Sequence, residues 1–324
     1  MFSFLIDAGT TNVRISLLND QRQAVDTVKN EAGVRHTAID GHNGKLRETI
    51  RAGIADLMHR HSLSARDIRC CIAYGMITSN LGLAEIPHLP APVSLEQFRA
   101  AVVTREFSDI APFPIRFIPG VKNFDAPVTL ENADRMDMMR GEETECIGLC
   151  RLLDLDHAAV VVLPGSHNKF IAVVANGRIL SCMTSISGEL LAALTKNTIL
   201  ADAVDSAFAD ASEYDREMVL AGARACASGL GRASFTARIL RTLGGYEASR
   251  IRSFLLGVVF SLDLQALEEA HYLSQNPAIY VAGKAPVSQA ICDLLEARGL
   301  RAVLVSDKIQ KQMGIEGAWT IAGV

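Results

Sequence analysis

The residues best equipped for chemistry lie in a short polar turn near the start of the chain: Asp7, then Ala8, Gly9, Thr10, Thr11 and Asn12. A carboxylate followed by a glycine turn and two hydroxyls suits nucleotide phosphate, because so little side chain lets backbone N–H groups approach a polyanion while Asp7 holds Mg²⁺ through water. The same residues also serve an ordinary hairpin, where Gly, Thr and Asn meet the demands of a turn. The stretch is neither a Walker loop, having no Gly-Lys-Ser/Thr, nor a GxGxxG fingerprint. A second group, Arg140, Gly141, Glu142 and Glu143, stands directly before a helical pattern carried by Cys146, Ile147, Cys150 and Leu153. Carboxylates there complement the helix dipole. If that helix points its N-terminus into a cleft, one of them accepts a proton from a substrate hydroxyl and Arg140 pairs with an anionic substrate.

The elements that must position these groups follow from periodicity. Phe4, Leu5 and Ile6 form a buried run, and Val13, Ile15 and Leu17 alternate with Arg14 and Ser16, so the first turn joins two strands of a hairpin. A third strand is expected near Ala24–Val28 and a helix over Asn43–His61, with Leu46, Ile50, Ile54, Leu57 and Met58 on one face. The strand Ile68–Tyr74 runs into Gly75 and a proline-rich loop, Met76–Val93. Loops leaving a strand's C-terminal end gather substrate contacts, which makes Gly75, Ser79 and Asn80 candidates, although a connector covering the sheet edge explains them equally. Ser94 with Gln97 forms a capping box for a helix reaching Arg105, and Ile115–Ile118 is a further strand.

The opening pattern then recurs. Ala159–Val174 is again strand, glycine-hydroxyl turn and strand, Asn176-Gly177 turns into Arg178–Met183, and a helix follows over Gly188–Leu194. This echo, at a separation of roughly 155 residues, suggests duplicated domains. Gly165 and Ser166 form the second phosphate turn; Pro164 takes the place of Asp7, and His167, Asn168 and Lys169 add donors for a phosphate or an anionic sugar. Helices are expected over Glu213–Ala227, Ser234–Leu243 and Ala248–Tyr272. The strand Ala278–Ala282 ends in Gly283 and continues to Ser288 at a helix start, a junction that suits adenine or ribose. Arg301–Val305 is a strand and Gly314–Val324 a last helix. The organisation is α/β, with one domain over 1–155 and a second over 156–324, the last helix returning to the first.

Composition narrows the partners. The 324 residues carry a net charge of −4 with Lys and Arg scattered rather than gathered into a stripe, which argues against a nucleic-acid surface. Neither a leader pattern nor a membrane-length apolar run is seen, so no membrane partner and a cytoplasmic location are expected. The seven cysteines contain no CxxC pair and read as reduced core thiols; Cys146 and Cys150, four apart on a helix, lack a matching cluster for a metal.

The segments IDAGTTNVR, YGMITSNLGLAEIPHLPAP, IPGV, MMRGEETECIG, LPGSHNKFI with NGRI, and SGELLAALTKNTIL cover most of residues 4–200 in order. With the strand-Gly-helix near Gly283 they resemble the actin/hexokinase/Hsp70 ATPase superfamily, and within it the 2-dehydro-3-deoxygalactonokinase family. The chain departs from that family at Ala8, where a tryptophan is usual, and at Ser166-His167-Asn168-Lys169, where Thr-His-Ser-Lys is usual. The resemblance implies two similar actin-like (ribonuclease H-like) domains around a nucleotide cleft, each with a mixed sheet opened by antiparallel strands. It implies ATP and Mg²⁺ as cofactors and phosphorylation of a primary hydroxyl on a small sugar acid, 2-dehydro-3-deoxy-D-galactonate being favoured. Asp7 would position the metal, and Gly9, Thr10, Thr11, Asn12, Gly165 and Ser166 would hold phosphate. Gly283 and Ser288 would border the nucleoside. Gly75, Ser79, Asn80, Arg140, His167 and Lys169 would serve the acceptor. Related sugar kinases place a Gly-Asp pair at a helix start, so Gly141-Glu142 implies Glu142 as base, with Glu143 as the fallback. Another sugar or polyol kinase and a non-catalytic sugar sensor are the alternatives; a sensor need keep neither Asp7 nor Glu142. Self-association is left open.

Overall fold

The computed structural model describes residues 1–324. Its internal contacts divide the chain into two compact units: Met1–His157 with Val173–Cys182 and Asp307–Val324, and Ala158–Ala172 with Met183–Ser306.

The first unit opens with β1 (Phe2–Ala8), β2 (Val13–Leu18) and β3 (Ala24–Asn30), joined as successive antiparallel neighbours. A short α1 (Arg35–Asp40), which periodicity does not reveal, precedes α2 (Gly44–Arg60), whose Leu46, Ile50, Ile54 and Leu57 are buried. The chain then enters β4 (Ile68–Gly75), parallel to β1. After β5 (Leu89–Pro90) comes α3 (Leu95–Ala101), started by the expected reciprocal capping between Ser94 and Gln97. The helix does not reach Arg105: the β-branched Val102 and Val103 turn extended, and β6 (Val103–Arg105) pairs with β7 (Ile115–Phe117). Small strands β8 (Val121–Lys122) and β9 (Met138–Met139) lead into α4 (Glu142–Leu152). The main sheet has the order β3-β2-β1-β4-β7-β6. Phe4, Ile6, Ile15, Leu17, Ile50, Ile54 and Phe117 form its core, each at most 1% exposed.

The second sheet repeats the plan. β10 (Ala159–Leu163), β11 (Asn168–Val174) and β12 (Arg178–Ser185) precede α5 (Ser187–Lys196). Three helices follow, α6 (Arg216–Ala225), α7 (Leu230–Thr242) and α8 (Ala248–Glu269). β13 (Ala278–Val281), α9 (Val287–Glu296) and β14 (Ala302–Leu304) complete the sheet order β12-β11-β10-β13-β14, with β10, β13 and β14 parallel. In both sheets the second and third strands of the opening run lie on one side of the first, and its other neighbour is a parallel strand reached through helices. That shared topology is the duplication the two glycine turns suggested. Helix α8 buries residues on all sides, including Phe254, Val258, Leu264 and one carboxylate, Asp263.

The last helix, α10 (Asp307–Ala322), begins earlier than the expected Gly314. It packs on α4 at glycine contacts: a methyl group on Gly317 would meet the Thr144 carbonyl oxygen at 1.8 Å, and one on Gly148 the Met313 carbonyl oxygen at 1.8 Å. The start of α4 is thereby fixed. Arg99 and Arg116 donate to the carbonyls of Thr320 and Ala322 at the other end of α10, the usual cationic complement to a helix C-terminus. No helix is long and apolar enough to cross a membrane. All seven cysteines are free thiols, five of them buried, and Cys146 and Cys150 lie in the core rather than in a metal cluster.

Candidate functional site

In the first unit the candidate residues meet at the C-terminal ends of the parallel pair β1 and β4, where ligands collect in open α/β sheets. Strand register sets Asp7 beside Tyr74 and Ala8 beside Gly75 on one flank. On the other, Asp7 faces Arg14, and Arg14 faces Lys29. The Arg14 guanidinium lies 3.9 Å from the Asp7 carboxylate. Asp7, Arg14 and Lys29 line a cavity of about 490 Å³ together with Gly9, Thr11 and Asn12.

The turn itself has the character of an anion cradle. Gly9 N–H closes the hairpin on the Asn12 carbonyl at 2.8 Å, and the carbonyls of Gly9, Thr10 and Thr11 accept from Val34, Arg35 and Gly33. With its carbonyls held from behind, the turn leaves the amides of Thr10, Thr11 and Asn12 donating to no group of the chain. Gly9 has no left-handed φ, and a Cβ there would meet only the Asn12 carbonyl oxygen at 3.7 Å. Nothing within the chain requires glycine at this position. Gly33, which sequence reasoning passed over, is required: a Cβ on it would lie 2.5 Å from the carbonyl oxygens of Gly9 and Thr10. Its only signal is an isolated glycine in the run Asn30-Glu31-Ala32-Gly33-Val34.

Helix α4 begins beside this turn, behind Gly141 in a left-handed conformation (φ 121°). Glu142 is half-buried and accepts from the Arg140 N–H at 3.1 Å. The Asp7 carboxyl is held above its ordinary range chiefly by burial, an effect Arg14 opposes and the charge of Glu142 reinforces. Asp7 and Glu142 therefore share one electrostatic site. Glu145, on the next turn of α4, is pushed up to about 8 by burial and then by Asp7, Glu142 and Glu143.

Several expected site residues have other work. Glu143 is fully buried, and both its oxygens accept from the Gly141 N–H at 2.8 and 2.9 Å, so it shapes the turn and faces no substrate; burial pushes its carboxyl up to about 7. Arg140 is a correction too. Its guanidinium donates to the Thr78 carbonyl and hydroxyl and to the Ile86 carbonyl, and contacts His88 Nδ1, which staples the loop after β4 instead of presenting a charge to an anion. Ser79 is buried with its hydroxyl on the Met76 carbonyl at 2.7 Å, whereas Asn80 is exposed. Gly75 is the hinge of this loop, with φ 85° and no room for a Cβ beside the Ala8 carbonyl oxygen.

The second unit builds a similar turn at the ends of β10 and β13. The Ala282 N–H donates to Val162, and a Cβ on Gly283 would lie 2.9 Å from the Pro164 ring, so Gly283 and the Pro164-Gly165-Ser166 turn are neighbours. Gly165 again has room for a Cβ, the nearest atom being the His167 carbonyl oxygen at 3.6 Å, and the amides of Ser166 and His167 donate to no group of the chain. The His167 ring pairs with Glu189 at 2.9 Å on the surface. Asn168 is fully buried and turns inward, accepting from Gly165 N–H at 3.0 Å, so it supports the turn rather than reaching a phosphate. Lys169 is 7% exposed with its ammonium on the Thr184 hydroxyl at 2.6 Å, which withdraws it from a free acceptor role. Ser288 is a correction: it is fully buried and its hydroxyl has no partner, because the apolar face of α9 carries it into the core, where it presents nothing to the surface.

No three His, Cys, Asp or Glu side chains converge as a metal cage. One carboxylate beside a phosphate cradle is the donor set suited to Mg²⁺, which keeps most of its waters and takes further ligands from a nucleotide.

The chain is built from two related α/β sheets, each carrying a glycine turn at the end of its parallel strand pair, and its family makes it a sugar kinase. Residues 7–321 match the 2-keto-3-deoxy-galactonokinase family, and the chain belongs to that family. It is 26% identical over 270 residues to a probable 2-dehydro-3-deoxygalactonokinase of Rhizobium meliloti, a match covering 80% of this chain and 78% of that one. Its fold is similar to the crystal structure of a protein assigned as 2-dehydro-3-deoxygalactonokinase from Sinorhizobium meliloti, with a TM-score of 0.75 over 98% of each chain and 24% identity.

Proposed function

We propose that the chain transfers the γ-phosphoryl group of ATP to a primary hydroxyl of a small sugar acid, converting 2-dehydro-3-deoxy-D-galactonate to its 6-phosphate. The observation that carries this reading is the open amide turn at Thr10–Asn12 beside two acidic groups, Asp7 and Glu142, in one unit. Phosphoryl transfer asks little covalent chemistry of a protein; it needs alignment, charge neutralisation and exclusion of water. In the first unit the amides of Thr10, Thr11 and Asn12 hold the β- and γ-phosphates; within the second unit the amides of Ser166 and His167 offer donors suited to phosphate, and Gly283 neighbours that turn. Asp7 is the residue that would hold a hydrated Mg²⁺, which would supply neutralisation of the phosphate charge. Glu142 accepts the acceptor hydroxyl's proton as the new O–P bond forms and the bond to ADP breaks. Arg14 and Lys29, in register on the wall of the same cavity, supply cations for the sugar-acid carboxylate. Because the donor is ATP, the reaction is placed in the cytoplasm.

The test is ADP release measured across a panel of 2-keto-3-deoxy sugar acids and neutral sugars at fixed Mg·ATP. The galactonate derivative should give the highest kcat/KM and neutral sugars little turnover. A neutral sugar or polyol as the best acceptor would overturn the substrate assignment, and no turnover with any member would overturn the kinase reading for these acceptors.

A further inference from the structure

We propose that Asp263 is a positioning residue for the nucleotide, setting the second phosphate turn through Asn168 and Ser187. The proposal rests on the reading that the Gly165–His167 turn binds phosphate. Asp263 sits on α8, the helix buried on all sides, and is itself 3% exposed. A carboxylate in such a place is costly unless its oxygens are hydrogen-bonded, and both are. Oδ2 accepts from Asn168 Nδ2 at 2.8 Å and Oδ1 from the Ser187 hydroxyl at 2.5 Å.

The first contact has a directional consequence. A carboxylate can only accept, so it forces the NH₂ end of the Asn168 amide toward itself and the carbonyl end toward Gly165, where Oδ1 takes the Gly165 N–H at 3.0 Å. That bond draws one amide inward and leaves the next two, Ser166 and His167, facing out. The second contact fixes the far side of the same turn. Ser187 opens α5; a Cβ on its neighbour Gly188 would lie 2.0 Å from the Gly165 carbonyl oxygen, and Glu189 N–H donates to the Ser166 carbonyl at 3.1 Å. One buried carboxylate thus holds the turn from two sides.

The experiment measures the dissociation constant of Mg·AMPPNP by calorimetry, with the KM of the sugar-acid acceptor and the melting temperature recorded beside it. Asp263→Ala should weaken AMPPNP about tenfold or more, the scale of losing a charge-assisted hydrogen-bond pair, with the acceptor KM within about twofold. Asp263→Asn, whose amide can accept from Asn168 and donate to Ser187, should recover most of the affinity. Asn168→Ala leaves the Asp263–Ser187 bond intact and should reproduce the loss, which keeps the test usable if Asp263→Ala fails to fold. A lower melting temperature with unchanged AMPPNP affinity in these variants would make Asp263 a structural residue and overturn the proposal. Gly165→Val separates the two layers, because a Cβ there meets only the His167 carbonyl oxygen, at an ordinary 3.6 Å, and its branches bulk up the turn itself. Unchanged AMPPNP affinity in Gly165→Val would sink the phosphate reading itself, whereas a loss there with none in Asp263→Ala and Asn168→Ala would sink only the positioning role.

Discussion

Gly141 lies against Gly75 so closely that a methyl group on Gly141 would sit 3.3 Å from the Gly75 Cα, and both residues hold left-handed backbone, at φ 121° and 85°. The end of β4 and the start of α4 therefore meet without side chains between them. Since Gly75 pairs with Ala8 in the sheet, this contact is what carries Glu142 to the neighbourhood of Asp7. The glycines are the joint, and the acids are placed by it.

Gly141→Ala tests the joint. Alanine at φ 121° is strained by roughly 1–3 kcal/mol, and its methyl group presses on Gly75. The folded enzyme should lose stability by about that amount and lose at least about tenfold in kcat, because Glu142 moves relative to the acceptor hydroxyl. Thermal melts and initial rates check both; unaltered kcat would show that the placement of Glu142 does not depend on this contact.

Much of this arrangement is readable from residue order and some is not, for physical reasons. The turns at Gly9 and Gly165 are local, since each is made by a single hairpin whose strands alternate visibly around it. The start of α4 is also local. Gly33 and Asp263 act on those turns from elsewhere: Asp263 is 95 residues from Asn168, and no spacing rule links them. Arg140 and Ser288 show the opposite failure. Their residue types suit ligand binding, but the staple to Thr78 and Ile86 and the inward phase of α9 are set by tertiary packing that periodicity near a helix start does not resolve. Helix α3 ended early for a local reason, the adjacent Val102 and Val103, which propensity alone signals weakly.

Asp7→Asn tests the proposed metal role, since it removes the carboxylate charge while keeping the side chain's shape. The Mg²⁺ concentration for half-maximal turnover should rise on the order of tenfold or more, as for loss of other outer partners of a metal. A Mg²⁺ titration at saturating ATP and acceptor reads this out, and a curve superimposable on that of the wild type removes Asp7 from the metal site.

Glu142→Gln should lower kcat by roughly 10²–10⁴-fold, the contribution of a general base, with ATP binding largely retained. The amide still accepts from the Arg140 N–H, so the start of α4 is preserved and the loss belongs to proton transfer. Single-turnover rates beside AMPPNP affinity separate the two; near-normal turnover transfers the role to another group at the site.

Glu143→Gln addresses stability rather than turnover. Burial, reinforced by Glu142, holds the folded carboxyl at about 7 against an ordinary value of 4.5. Its pKa is raised on folding, so between those values the folded state binds more protons than the unfolded one, and stability falls as pH rises through that window and levels off above it. The stability lost is at most roughly 3–4 kcal/mol, from about 1.4 kcal/mol per pH unit across the window. Glutamine stays neutral and its carbonyl oxygen still accepts from Gly141, so the variant should melt nearly level with the wild type at pH 5 and above it at pH 8. The carboxyl of Glu145 remains in both proteins and stays raised chiefly by burial, with the part that the Glu143 charge adds removed in the variant. Melting temperatures taken from pH 5 to 8 decide the point: parallel curves for the two proteins would mean that Glu143 does not titrate in this range in the folded chain.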